Sequence, residues 1–214
     1  MERHYGSKDI SLVECINPRI NKYRVRWDIQ PYTEDNELEE GVNKDLVSFV
    51  ESEYTRKPTF DMILKDVISS GIHMSLEEAR KVAELLGEDG TEFVRNLLLE
   101  YITEYDKSSN VNSFYLNGIE SWLDRDTRVS LMNSTNIQKS MSLDTVTLWL
   151  NTMSLEINCD LAIQMLSQLE VYALKCYNKT AEHKANVIKL EGIDEMISYD
   201  YTIGYPEKLT FTIE

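Results

Sequence analysis

The strongest constraint on the fold is one long helical pattern in the second half of the chain. From Cys159 to Leu190, apolar side chains recur at alternating spacings of three and four, as on a helix with one buried seam. Asn158 stands directly before this pattern, and its side chain is suited to cap a helix. The predicted seam has nine members: Ala162, Leu166, Leu169, Ala173, Cys176, Thr180, His183, Val187 and Leu190. Either the helix lies across its own sheet, or its distal turns pack against another subunit.

A hairpin, a shorter helix and a second strand pair are predicted before the long helix. Asn117-Gly118 indicates the hairpin, because both residues tolerate the positive φ of a type I′ turn. Asp124 or Asp126 can then cap a helix that extends to about Ser140. The remaining predicted elements are strands at 113–116, 119–123, 145–150 and 154–158 with a turn at 151–153, a short helix at 193–197, and an edge strand within 199–213.

The N-terminal part predicts a small antiparallel meander. Between residues 22 and 30 apolar and polar side chains alternate, with Trp27 among the apolar ones, which is typical of a half-buried strand. Strands are also predicted at 10–15 and 46–54. The second and third strands are separated by an acidic loop that contains Glu34, Asp35, Glu37, Glu39 and Glu40.

Three helices are predicted after the meander. The first ends at Gly71, and the third covers about residues 92–105. The second begins with a capping box made by Ser75 and Glu78 and closes at Gly87. The sequence therefore predicts an α+β fold with an N-terminal docking domain at 1–106, a polar linker at 107–112 and a C-terminal module at 113–214.

Charge and composition exclude several classes of protein. The net charge of -15 opposes nucleic-acid binding, and the basic cluster of Lys22, Arg24 and Arg26 is interpreted as the polar face of one strand. No apolar run approaches the roughly 18 to 20 residues of a membrane span, and the N-terminus lacks a secretory signal, so a cytoplasm is the expected site of synthesis. The three widely spaced cysteines indicate neither a zinc site nor a disulfide framework.

No pattern of catalytic residues is found, so we expect neither enzymatic activity nor a cofactor or metal. Nucleophile-elbow, phosphate-loop, dinucleotide and zinc-protease motifs are missing from the sequence. Asp124 and Asp126, with Glu120 and Trp122 nearby, are the best imitation of the paired carboxylates of a glycoside hydrolase. Both aspartates stand where helix caps are needed, and Arg125 can pair with them, which favours a structural role.

Twelve tyrosines and three tryptophans favour binding over turnover, because these side chains suit both packed cores and interfaces. Two tryptophans and four residues of the long helix are the candidate interface residues: Trp27, Trp122, Tyr172, Cys176, His183 and Val187.

Residues 112–211 resemble domain of unknown function 4376, a family found in the tail-fibre regions of phages and prophages. The resemblance is carried by a strand at 146–149, the turn at Asn151, the helix opening at 161–166, and His183-Lys184-Ala185. Its most distinctive part runs from Ile197 through 198–202 to Gly204-Tyr205-Pro206, where Tyr205 replaces the more frequent tryptophan. Trp122-Leu123-Asp124 and Arg128 also fit the hairpin-to-helix transition of the family.

The resemblance implies a phage protein that binds other tail or fibre proteins, and it transfers no functional residues. We expect a structural component of the virion tail or of the tail-fibre connection, made in the bacterial cytoplasm and multimeric through the symmetry of the assembly. The alternative is a tail-fibre assembly chaperone that leaves before the virion is complete. A sugar hydrolase that uses Asp124 and Asp126 is the third hypothesis.

Overall fold

A computed structural model describes residues 2–32, 46–150 and 153–213 of the chain. Its elements confirm the predicted α+β class. In chain order they are β1 (His4–Ser7), β2 (Val13–Asn17), β3 (Lys22–Pro31), β4 (Leu46–Tyr54), α1 (Phe60–Ser70), α2 (Leu76–Leu86), α3 (Thr91–Lys107), α4 (Ser109–Asn112), β5 (Phe114–Leu116), β6 (Ile119–Ser121), α5 (Arg125–Ser140), β7 (Thr145–Leu150), β8 (Met153–Asn158), α6 (Cys159–Lys189), α7 (Ile193–Ile197) and β9 (Thr210–Phe211). No helix in the described ranges is long and apolar enough to cross a membrane.

The chain forms two compact units. The first consists of Met1–Leu99 and Val187–Tyr199, and the second consists of Glu100–Asn186 and Asp200–Glu214. The predicted division differs from this one in three ways. Residues 100–106, predicted within the N-terminal domain, belong to the second unit. The expected linker at 107–112 is helical over most of its length, because α3 extends to Lys107 and α4 follows at once. Residues 187–199, predicted within the C-terminal module, belong to the first unit.

The sheet of the first unit has the antiparallel order β1-β4-β3-β2. The three predicted strands are present, although β2 begins at Val13 rather than at residue 10. Strand β1 was not predicted, because its four residues, His-Tyr-Gly-Ser, contain a glycine and show no apolar alternation. On one face of β3, Val25 and Trp27 are fully buried, and the Trp27 indole N–H donates to the Ile72 carbonyl at 3.0 Å.

Ion pairs cover the other face of β3, as expected for a polar strand face. Lys22 and Arg24 pair with Glu53, and Arg26 pairs with Glu51 at 3.0 Å. Arg26 also pairs with Glu14 at 2.7 Å. These cations therefore have carboxylate partners within the sheet, which leaves little basic surface for a phosphate backbone. The acidic loop predicted at Glu34, Asp35, Glu37, Glu39 and Glu40 lies outside the described residues.

Local sequence signals set the ends of α1 and α2. Gly71 and Gly87 end these helices with φ of 67° and 69°, a left-handed conformation that glycine adopts without steric cost. The predicted capping box at the start of α2 is present, because Ser75 accepts from the Glu78 amide and the Glu78 carboxylate accepts from Ser75.

The β5-β6 hairpin of the second unit turns at Asn117-Gly118, where both φ angles are positive, as predicted. The side chain of Asn117 also binds the C-terminal segment. Its Nδ2 donates to the Ile213 carbonyl at 3.1 Å, and its Oδ1 accepts from the Ile213 backbone N–H at 2.8 Å. The predicted returning strand is present but short, since β9 has two residues and pairs in parallel with β5.

The long helix α6 builds the core of the second unit. Its first turns bury Ala162, Leu166 and Leu169 in one cluster with side chains of β5 and β7. The Asn158 side chain caps it by accepting from the Asp160 amide at 2.9 Å. The predicted seam therefore packs within its own chain, as the first of the two alternatives requires. Residues 151 and 152, where the second turn was predicted, lie outside the described ranges.

Candidate binding cleft

A cleft of about 720 Å³ lies in the second unit between the end of α3, the start of α5 and the middle of α6. Its wall combines exposed apolar side chains with charges of both signs. The residues that matter for its chemistry are Asp106, Lys107, Trp122, Asp124, Arg125, Arg128, Glu170, Leu174 and Tyr177.

Trp122 reaches the cleft because the segment between β6 and α5 is held in an extended arrangement. Its neighbours Ser121 and Leu123 are buried, whereas Trp122 is 49% exposed. The Leu123 carbonyl accepts from the Arg128 guanidinium at 2.6 Å, which fixes this segment to α5. Side chains of consecutive extended residues lie on opposite sides, so burying Ser121 and Leu123 exposes Trp122.

Two residues of α6 complete the apolar part of the wall. Leu174 is 58% exposed and Tyr177 is 66% exposed, and both lie on the helix outside the buried seam. Neither residue was predicted to be at an interface, because the candidates on this helix were taken from its apolar stripe. The sequence nevertheless contained a signal for them. A helix with one buried stripe should carry polar residues on the rest of its surface, and Leu174 and Tyr177 depart from that pattern.

The three carboxylates of the cleft are occupied by hydrogen bonds within the unit. Asp124 accepts from the Thr127 amide at 2.8 Å and from its hydroxyl at 2.6 Å, which makes it the N-cap of α5. Glu170 accepts from the Arg128 guanidinium at 2.7 Å. Asp106 accepts from the Thr180 hydroxyl at 2.7 Å. These carboxylates are therefore structural acceptors.

The environment of Asp124 opposes its use as the acid of a glycoside hydrolase. The hydrogen bonds from the Thr127 hydroxyl and amide lower the pKa of this carboxyl below its usual value of 3.8. A general acid needs the opposite shift, because it must hold its proton near neutral pH. Asp126 is exposed and does not line the cleft. The pair proposed from the sequence therefore lacks the geometry of two carboxylates around one bond.

We expect Asp124→Ala to lower the melting temperature measurably and Asp124→Asn to change it little, since an asparagine side chain can still cap α5. The pKa of Asp124 is lower in the folded state, so its ionised form stabilises the protein above about pH 3.8, and that stabilisation is lost as the pH falls further. When the pH is lowered from 7 to 3, the melting temperature should therefore fall less in Asp124→Ala than in the natural chain. Equal melting temperatures for all three proteins would contradict the capping role.

Most of the candidate interface residues are buried within the chain. Trp27 lies under the sheet of the first unit and has no exposed surface. On α6, the Tyr172 hydroxyl donates to the Val111 carbonyl at 2.5 Å, and the Cys176 thiol donates to the same oxygen at 3.4 Å. These three side chains are therefore used for packing and hydrogen bonds within the chain.

The last two candidates on α6 are also buried. The Nε2 atom of His183 lies 3.0 Å from the Ile203 carbonyl oxygen. The centroid of the His183 ring is 5.6 Å from the centroid of the Tyr205 ring. Val187 has no exposed surface. His183 and Val187 belong to the seam, and both side chains are buried within the chain. Of the six candidates, Trp122 alone remains exposed.

The three cysteines should differ in reactivity. Cys15 is exposed, whereas Cys159 and Cys176 are buried. Burial also raises the pKa of the Cys176 thiol, which lowers the fraction of reactive thiolate. We expect one thiol per chain to react rapidly with Ellman's reagent in the native protein and three after denaturation. Cys15→Ser should remove the rapid phase, and a second rapid thiol would contradict the burial of the other two.

In the described part of the chain, no group of three or more histidine, cysteine, aspartate or glutamate side chains is placed to hold a metal ion. Comparisons with protein-family models, with curated proteins and with solved structures found no match to this chain.

Proposed function

We propose that this chain is a non-catalytic structural protein of a tailed bacteriophage, which binds other tail or fibre proteins in the virion tail or at the tail-fibre connection. The observation that carries the binding role is the cleft of the second unit, where Trp122, Leu174 and Tyr177 are each about half exposed or more. Exposed aromatic side chains around one concavity are typical of sites that bind proteins. The phage setting is proposed from the resemblance of residues 112–211 alone.

The state of the charged residues supports a binding role over catalysis. The carboxylates of the cleft accept hydrogen bonds from Thr127, Arg128 and Thr180, and none is held as a free acid-base pair. The cations of the first sheet are paired with carboxylates, and the whole chain carries a net charge of -15. These features favour protein partners over nucleic acids.

Mass spectrometry of purified particles tests this proposal. We expect peptides of the chain in mature virions, in a fixed ratio to known tail proteins that reflects the symmetry of the assembly. A host lysate taken before assembly serves as the reference for synthesis. If the chain is made but is missing from particles purified through a density gradient, it is not a virion component.

The second candidate function is a tail-fibre assembly chaperone that does not stay in the virion. The high net negative charge favours this candidate, because it keeps a protein soluble while it covers an aggregation-prone surface. Co-expression with the fibre protein of the same phage should then increase the yield of soluble fibre, and Trp122→Ala should reduce that increase. An unchanged fibre yield would rule the chaperone role out.

A further inference from the structure

We infer that the cleft of the second unit binds an acidic segment of its partner protein, with an apolar side chain of that segment seated between Trp122, Leu174 and Tyr177. This inference deepens the proposed function and depends on its binding role. It identifies the partner by two chemical features, a negative charge and an apolar anchor.

Among the described residues that line the cleft, the charged side chains without a partner are both cations. The side chains of Lys107 and Arg125 make no ion pair or hydrogen bond in the described ranges, and both line the cleft. The same is true of the Trp122 indole N–H. Lysine, arginine and the indole can donate hydrogen bonds but cannot accept them. A ligand that satisfies these groups must therefore supply acceptors.

Each carboxylate of the cleft already accepts a hydrogen bond from within the unit. Asp124 lies at the N-terminus of α5, where the helix dipole also compensates its charge. Glu170 is neutralised by Arg128, and Asp106 accepts from Thr180. A ligand that brings donors, such as a basic peptide, would have to share these carboxylates with their present partners Thr127, Arg128 and Thr180. Carboxylates of an acidic segment match the free donors better.

The net charge of the protein does not prevent binding of an acidic segment. The chain carries -15 in total, but salt screens exposed charges beyond about 10 Å at an ionic strength of about 0.1 M. Within the cleft, carboxylates of the ligand would contact Lys107 and Arg125 directly. We expect direct contact with these two cations to outweigh the repulsion from Asp106 and Asp124, which keep their charge in the cleft while they accept hydrogen bonds from Thr180 and Thr127.

The apolar wall provides the anchor for the segment. Leu174 and Tyr177 lie one helical turn apart on α6, and Trp122 lies on the neighbouring wall of the cleft. Aromatic side chains together with arginine are enriched among the residues that dominate binding energy at protein interfaces. Trp122, Tyr177 and Arg125 have this composition. We therefore expect a leucine or aromatic residue of the partner to occupy the space between them.

Selection from a yeast-displayed library of random linear peptides on the full-length protein tests the inference. We expect the enriched peptides to combine Asp or Glu with a neighbouring leucine or aromatic residue. Their affinity should fall about tenfold or more in Trp122→Ala, and similarly in the double variant Lys107→Glu with Arg125→Glu. Added salt should weaken the binding to the natural protein.

Matched variants separate the cleft from the rest of the surface. Trp149→Ala removes another exposed tryptophan of the second unit, and Lys65→Glu with Lys81→Glu makes the same charge change on α1 and α2. Neither control should alter peptide affinity by more than about twofold. Tyr177→Ala is a second cleft variant, and circular dichroism verifies that each variant is folded.

Three results would overturn the inference: no enriched peptide, enriched peptides without acidic residues, or acidic peptides that bind Trp122→Ala as tightly as the natural protein. The peptide selection tests the chemistry of the partner, whereas the virion experiment tests the proposed function. If the chain is present in virions but selects no acidic peptide, the partner chemistry fails while the proposed function stands. If acidic peptides bind the cleft but the chain is missing from virions, the structural role in the tail fails.

Discussion

Trp27→Ala is expected to lower the free energy of unfolding by about 4 kcal/mol, the largest effect of any substitution considered for this chain. The side chain has no exposed surface, lies opposite Val50 in the sheet and donates to the Ile72 carbonyl. Alanine would leave a cavity on the buried face of β3 and an unsatisfied carbonyl. Urea unfolding followed by circular dichroism measures the change.

The natural control for this variant is another tryptophan. Trp149 is 66% exposed on β7, so Trp149→Ala should change the free energy of unfolding by less than about 0.5 kcal/mol. Similar losses for the two variants would mean that Trp27 is not a core residue. The interface role that the sequence suggested for Trp27 would then become possible again.

Arg26→Ala is expected to cost about 3 kcal/mol, the second largest effect. The Arg26 side chain is only 5% exposed and pairs with Glu51, whose side chain is also largely buried, and with Glu14. Its removal leaves the Glu51 carboxylate in a poorly hydrated position. We expect the lower part of the usual range, because Arg24 Nε lies 3.4 Å from the same carboxylate and can replace part of the lost contact.

Two further variants identify the origin of the Arg26 effect. In the double variant Arg26→Met with Glu51→Leu, no buried charge is left unpaired, so the loss should be smaller than in Arg26→Ala. Lys57→Ala breaks an exposed pair with Glu88 and should cost less than about 1 kcal/mol. If Arg26→Ala cost no more than Lys57→Ala, the Arg26 pairs would behave as ordinary surface contacts.

Elements with strong local signals were predicted well. The seam of α6, the capping box at Ser75, the N-cap at Asp124 and the turn at Asn117-Gly118 depend on residues close together in the chain. Their energies are local, so one stretch of sequence contains the whole pattern. Strand β1 depends on a distant pairing partner, which no local pattern identifies. For β9, the local alternation predicted a strand but neither its two-residue length nor its parallel pairing with β5.

The division into units shows the same limit. Residues 107–112 are polar except for Val111, which is buried. Polarity indicates exposure, but it does not show where contacts within the chain separate two units. Residues 187–199 follow the long helix without a break in pattern, yet they belong with the first 99 residues. That assignment depends on contacts between distant segments of the chain, which a pass along one sequence does not reveal.

The candidate site was predicted only in part, and the reason is geometric. Trp122 was recognised as an aromatic residue beside two carboxylates, and it is exposed in the cleft. Cys176 and His183 were predicted as interface residues because the seam of α6 could have packed against another subunit. Both side chains are buried within the chain instead. The exposed side of the same helix, with Leu174 and Tyr177, contributes to the cleft.

The most direct test of the proposed binding role is photo-crosslinking from the cleft during phage growth. A photoreactive phenylalanine derivative in place of Trp122 should crosslink the chain to a tail or fibre protein of the same phage, as identified by mass spectrometry. The same derivative in place of Trp149 serves as the control and should not give this product. Crosslinks to host proteins alone, or the same products from both positions, would contradict a partner site in the cleft.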